Sequence, residues 1–123
     1  MMEISSIENR GTYAEFRVVG AVDLPGMIEA LANVNAHCQR QGLKGALVNL
    51  TEASGTLDGL DRFKLAHAAL EVWNRDTCLS VLLDVAQTEP GPIGQLVAQN
   101  RGFRVRVFTK RESAIGWIET AVG

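Results

Sequence analysis

Two hydrophobic rhythms run along this chain, one of period two and one of period 3.6, and they divide it into elements. Met2 to Ile7 is a weakly apolar stretch, and Asn9, Arg10 and Gly11 supply turn chemistry after it. From Tyr13 to Val19 the period is two: Ala14, Phe16 and Val18 face one way, Tyr13, Glu15, Arg17 and Val19 the other. The pair is predicted to be an antiparallel hairpin. Then Leu24, Met27, Ile28, Leu31, Val34 and Cys38 fall on one helical stripe. Asp23 is its cap, Pro25 and Gly26 lie in its first turn, and Gly42 ends it. Ala46 to Leu50 reads as a buried strand and Thr51 to Thr56 as a polar loop. Asp58, with Asp61 three residues on, caps a second helix whose inner face is predicted to be Leu60, Phe63, Ala66, Leu70 and Trp73.

Period two returns from Leu79 to Val85, with Leu79, Val81, Leu83 and Val85 opposed to Ser80, Leu82 and Asp84. Pro90, Gly91 and Pro92 open a short third helix containing Ile93, Leu96 and Val97, which Gly102 ends. Phe103 to Phe108 alternates once more, Phe103, Val105 and Val107 against Arg104, Arg106 and Phe108. Thr109 and Glu112 make a capping box for a last helix that buries Ala114, Trp117, Ile118 and Ala121.

The predicted order, β-β-α-β-α-β-α-β-α, implies mainly parallel pairing with right-handed crossovers. A sheet covered on both faces shows continuous apolar strands, whereas three strands here carry polar or charged residues at alternate positions. The fold class expected is therefore α/β, a single domain over residues 1–123. It is an open β-α superhelix of about five strands, an N-terminal antiparallel hairpin then mainly parallel, with about four helices mostly on one face. The other face is expected to show Tyr13, Val19, Leu47, Leu82 and Phe108 among Glu15, Arg17, Asn49, Ser80, Asp84, Arg104 and Arg106. An apolar centre with a charged rim is the composition of a modest interface. Tyr13, Leu47, Leu82, Arg104, Arg106 and Phe108 are its candidate contacts. Partial cover by the hairpin or a terminal helix is the alternative.

Composition narrows the function classes. The 123 residues are 46% hydrophobic and 21% charged, which suits a packed core rather than disorder. The net charge of −2 speaks against nucleic acid or an anionic membrane as main partner. It conceals a segment from Arg101 to Arg111 with five basic and no acidic residues, read as protection of a terminal edge strand. No secretory leader and no membrane-length apolar run is legible, so a cytoplasmic protein is expected. Cys38 and Cys78 form no CxxC and are expected to be reduced and buried. His37 and His67 have no metal-ligand spacing. A catalytic His67 would need a nucleophile in reach. Asp84 is expected to pair across strands with Arg104 or Arg106. No cofactor or metal is expected.

Three stretches resemble the STAS superfamily, in particular its SpoIIAA-like branch of small stand-alone bacterial proteins. They are Ala46-Leu47-Val48-Asn49-Leu50-Thr51, Gly59-Leu60-Asp61-Arg62-Phe63, and Asn100-Arg101-Gly102-Phe103 leading to Val107-Phe108-Thr109 and Glu112-Ser113-Ala114-Ile115-Gly116-Trp117-Ile118. The resemblance implies a non-enzymatic regulatory or protein-interaction module, acting on a protein partner or by self-association, as in a homodimer. Two departures stand out. Asn49-Leu50 replaces the family's Asp-Leu pair, and no Asp-Ser pair opens the following helix. Ser54 and Thr56 are the hydroxyls near that helix that phosphorylation could use. The alternative function is binding of a small ligand (anion, nucleotide or lipid) beyond the carboxyl ends of the strands, near Asn49, Thr51, Ser54, Thr56, Gln87 and Thr109. A small hydrolase ranks last.

Overall fold

The computed structural model describes residues 2–88 and 102–122. Strand β1 (Glu3–Asn9) turns back into β2 (Tyr13–Ala21), and helix α1 (Leu24–Gln41) follows. Next come β3 (Gly45–Asn49), a two-residue β4 (Ala53–Ser54), α2 (Gly59–Val72) and β5 (Cys78–Leu82). A 3-10 turn (Val85–Thr88), β6 (Val105–Phe108) and α3 (Arg111–Val122) complete the described chain. The predicted third helix over Ile93, Leu96 and Val97 lies outside the described residues.

The sheet runs β1-β2-β3-β5-β6, with β4 paired to β2. The hairpin is antiparallel and the remaining pairings are parallel. This is the predicted superhelix with one strand more, since the loop expected over Thr51 to Thr56 contains β4. Ala53 and Ser54 pair with Gly20 and Ala21, beyond the stretch of β2 that β3 covers.

Local chemistry fixes the helix ends. The Asp23 carboxylate accepts from the Gly26 N–H at 2.7 Å, and Gly42 closes α1 in the left-handed region at φ 66°. Asp58 accepts from the Asp61 N–H at 2.7 Å and caps α2. The Gly55–Gly59 stretch is thus a capped turn rather than an anion cradle. At α3 the cap shifts by one residue from Thr109, because Ala114 N–H bonds the Lys110 carbonyl.

Two cores result. Phe16, Val18, Val34, Cys38 and Val48 centre the larger one, between the sheet, α1 and α2. On the opposite face Tyr13, Leu47, Cys78 and Leu82 pack against Ala114 and Ile118 of α3, with Phe108, Ile115 and Trp117 at the margin. Two of the three described helices lie on one face, and the face expected to be open is covered by α3, which is the alternative of a terminal helix. Tyr13, Leu47 and Leu82 are buried, which corrects their assignment to an exposed interface. Only Arg104 and Arg106, with half-buried Phe108, keep exposed surface from that set.

The polar positions that suggested solvent on this face are met by partners instead. Ser80 donates to the Ala114 carbonyl at 3.1 Å, and Arg104 to the Ala121 carbonyl at 2.6 Å. Glu15 takes both terminal nitrogens of Arg111. Gly45 permits the close approach of α3, since a Cβ there would meet Val122 Cγ1 at 2.6 Å and Ile118 Cδ1 at 2.9 Å.

Three further readings change. Leu60 and Phe63 are exposed, so the inner face of α2 is Ala66 and Ala69 with Leu65 and Leu70 packed beside them, continued by Trp73, which stacks on Phe103. Strand β5 stops at Leu82, because the Gln87 amide closes a turn on Asp84, and Val85 emerges exposed. The register pairs Ser80 with Arg106 and Leu82 with Phe108. Asp84 therefore lies past the strand and forms no ion pair with Arg104 or Arg106 among the described residues. β6 does stand at the sheet's edge in the described strand order, as its arginines suggested.

Candidate functional site

Parallel strands deliver their carboxyl ends to one rim of the sheet, and the candidate residues gather there. Asn49 ends β3, and its Oδ1 accepts from the Thr51 N–H at 3.0 Å and from the Thr51 hydroxyl at 2.7 Å. Ser54 is exposed and donates to the Gly20 carbonyl at 3.4 Å. Gln87 is buried and acts as a bolt across the rim. Its Nε2 donates to the Leu50 carbonyl at 3.0 Å and the Ala53 carbonyl at 3.3 Å, while its Oε1 accepts from the Asp84 N–H at 2.7 Å. Thr56 donates to the Gln87 carbonyl at 3.1 Å.

Arg62 completes this lock. Its Nε donates to the Leu57 carbonyl at 3.0 Å, and one terminal nitrogen reaches Thr56 Oγ1 at 2.6 Å and the Gln87 carbonyl at 2.5 Å. Arg62 lies in one of the stretches that resemble the STAS superfamily, but the sequence alone assigns it no role. The signal was its place one turn into α2, from where a long side chain can reach back to the leading loop. Thr109 does not join the group. It follows β6, two strands from Asn49 in the sheet order, and no hydrogen bond links it to the others among the described residues.

Asn49, Thr51, Thr56 and Gln87 thus hold loops together, and most of their polar capacity is used within the chain. A cavity of about 250 Å³ remains beside them, lined by Ala53, Gly55, Thr56, Asp84, Ala86 and Gln87. Apart from β4, which lies off the path on β2, the described strands follow in chain order, so among them there is no switch point of the kind at which doubly wound sheets bind ligands.

The other ionisable groups show no catalytic arrangement among the described residues. His67 packs on Phe63 with ring centroids 4.5 Å apart, and His37 contacts Asn9 and the edge of Phe16. No three of His, Cys, Asp and Glu come together to hold a metal ion among the described residues. Cys38 and Cys78 are buried and free, as expected from sequence. Burial pushes the Cys38 thiol up to about 11 and raises Cys78 as well, with Arg104 opposing the latter. Thiolate is the reactive form, so neither cysteine is expected to react with an aromatic disulfide reagent at pH 8 until the chain unfolds. Titration before and after denaturant checks this; a fast native-state thiol contradicts it.

No helix among the described residues is long and apolar enough to cross a membrane.

No family model matches the chain, and no curated protein matches it. A solved structure does. The crystal structure of an anti-sigma factor antagonist from Mycobacterium paratuberculosis superposes with a TM-score of 0.58 at 15% identity, covering 97% of this chain and 95% of that one. At this identity the likeness is one of fold, and the fold is the STAS type that the sequence motifs resembled.

Proposed function

We propose that the chain is a STAS-type regulatory module that works by binding a protein partner and carries out no reaction of its own. The observation that supports this reading is the fold shared with an anti-sigma factor antagonist over nearly the whole of both chains. The contact surface belongs on α2. Leu60 is 62% exposed and Phe63 43%, one turn apart. Val85, 74% exposed, stands on the turn that Arg62 ties to the same helix. Solvated apolar side chains of this size mark a surface that another molecule dries.

The test begins with a partner captured by the wild-type chain, identified, purified and titrated against it. Leu60→Glu and Phe63→Glu are each expected to weaken that complex by about tenfold or more. Ile7→Ser, at an exposed apolar residue of β1, is expected to leave it unchanged. A complex indifferent to both α2 changes overturns the assignment of the surface.

Phosphorylation at Ser54 or Thr56 belongs to the same proposal. A phosphate on Thr56 would face Arg62 and break the bond to the Gln87 carbonyl, while nearby Asp58 and Asp61 would oppose its charge. The alternative, a small-ligand protein, rests on the cavity beside Gln87. Asp84 in its wall disfavours anions and nucleotides there, and a thermal-shift screen separates the two readings.

A further inference from the structure

The start of α1 carries a contact of unusual chemistry. The Asp23 N–H donates to the thioether sulfur of Met2 at 3.4 Å. The sulfur is lodged in a notch left by Gly26, where a Cβ would lie 2.8 Å from Sδ and 3.2 Å from Cγ. Met2 is half-buried and packs against the larger core, whereas Met27, four residues beyond Asp23, is buried at 6% exposure. The adjoining Val22 N–H bonds the Ser54 carbonyl at 2.8 Å, so the same short segment ties the chain's first residues to the β3–α2 loop.

From this geometry we infer that Met2 is a reversible oxidation site, at which a peroxide loosens the joint between β1, α1 and that loop. The sulfur gives up two electrons, the peroxide O–O bond breaks, one oxygen forms the S–O bond and the other leaves as water. The product does not fit the same seat. An oxygen placed between sulfur and the Asp23 N–H needs the two further apart, and the sulfur already sits tight against the notch at Gly26, which leaves little room for the larger sulfoxide. In either configuration the side chain backs out of the notch and leaves the first turn of α1 without this acceptor.

Dilute hydrogen peroxide applied to the folded full chain, followed by peptide mapping and amide exchange, tests this. Met2 is expected to oxidise well ahead of Met27. Exchange at Asp23 and Val22 is expected to quicken by about fivefold or more, the equivalent of one ordinary hydrogen bond. Methionine sulfoxide reductase is expected to restore it. Met2→Leu, which keeps the apolar contact and retains Met1, is expected to show no peroxide effect at these amides. Equal oxidation of Met2 and Met27 in the folded chain, unchanged exchange after Met2 oxidises, or the same quickening in Met2→Leu would each overturn the inference.

Discussion

Arg111→Ala is expected to lower the unfolding free energy by about 2–4 kcal/mol in denaturant titration, the range for breaking a buried pair from one side, held below its top because Arg111 itself is partly exposed. Glu15 is 6% exposed in its side chain and Arg111 42%. The guanidinium gives the carboxylate two charge-assisted bonds, with Asn49 adding a further side-chain hydrogen bond and Arg10 standing 3.7 Å away. Acidity provides a second reading of the same clasp. The Arg111 hydrogen bonds hold the Glu15 carboxyl below its ordinary value of 4.5, against the opposing effect of burial. A depressed carboxylate contributes stability that is fully present above its unfolded-state value and is lost as pH falls through the folded one. Wild-type chain should therefore lose this contribution below about pH 4.5, and Glu15→Gln should lack that part of the acid dependence. Identical acid profiles for the two would show that the clasp holds nothing.

Ile118→Ala is expected to cost about 2–4 kcal/mol, while Phe63→Ala stays under about 1 kcal/mol. Ile118 has no solvent exposure and sits in the second core, where its loss leaves a cavity against the sheet at Gly45. Phe63 is 43% exposed and loses little beyond its contact with His67. Paired melting curves decide the matter. Equal costs, or a larger one at Phe63, would mean that α2 rather than α3 carries the deeper packing.

The second face of the sheet shows where reading from sequence stops. Elements with strong local signals were legible: α1 between Asp23 and Gly42, the hairpin, the buried β3 and the capped α2. Their neighbours in space were not. Ser80, Glu15 and Asn49 at alternate strand positions read as solvated, because polar residues on a half-exposed strand are the common case. Each is instead buried with a partner: Ser80 and Glu15 meet the Ala114 carbonyl and Arg111, which only the tertiary arrangement brings within reach, and Asn49 turns locally onto Thr51. Gly45 was the residue that could have announced a helix in contact with this face. On α2 the error ran the other way, as spacing placed Leu60 and Phe63 on the apolar stripe, yet helical spacing alone does not say how wide a stripe the sheet covers. At the candidate site the residue types were found but not their occupation. Gln87 and Asn49 were visible as polar groups near strand ends, and it is the folded loops that turn their bonds inward.

The clasp between Glu15 and Arg111 joins residues 96 positions apart. Closing so long a loop is entropically costly, and the reward comes only after β2, β3 and β5 have already paired. The second core is accordingly expected to close late in folding, with φ-values near zero at Ile118. During synthesis, the surface of Tyr13, Leu47 and Leu82 exists before the helix that shields it leaves the ribosome. For that interval the nascent chain presents an uncovered apolar sheet, and aggregation or chaperone capture competes with the docking of its last helix.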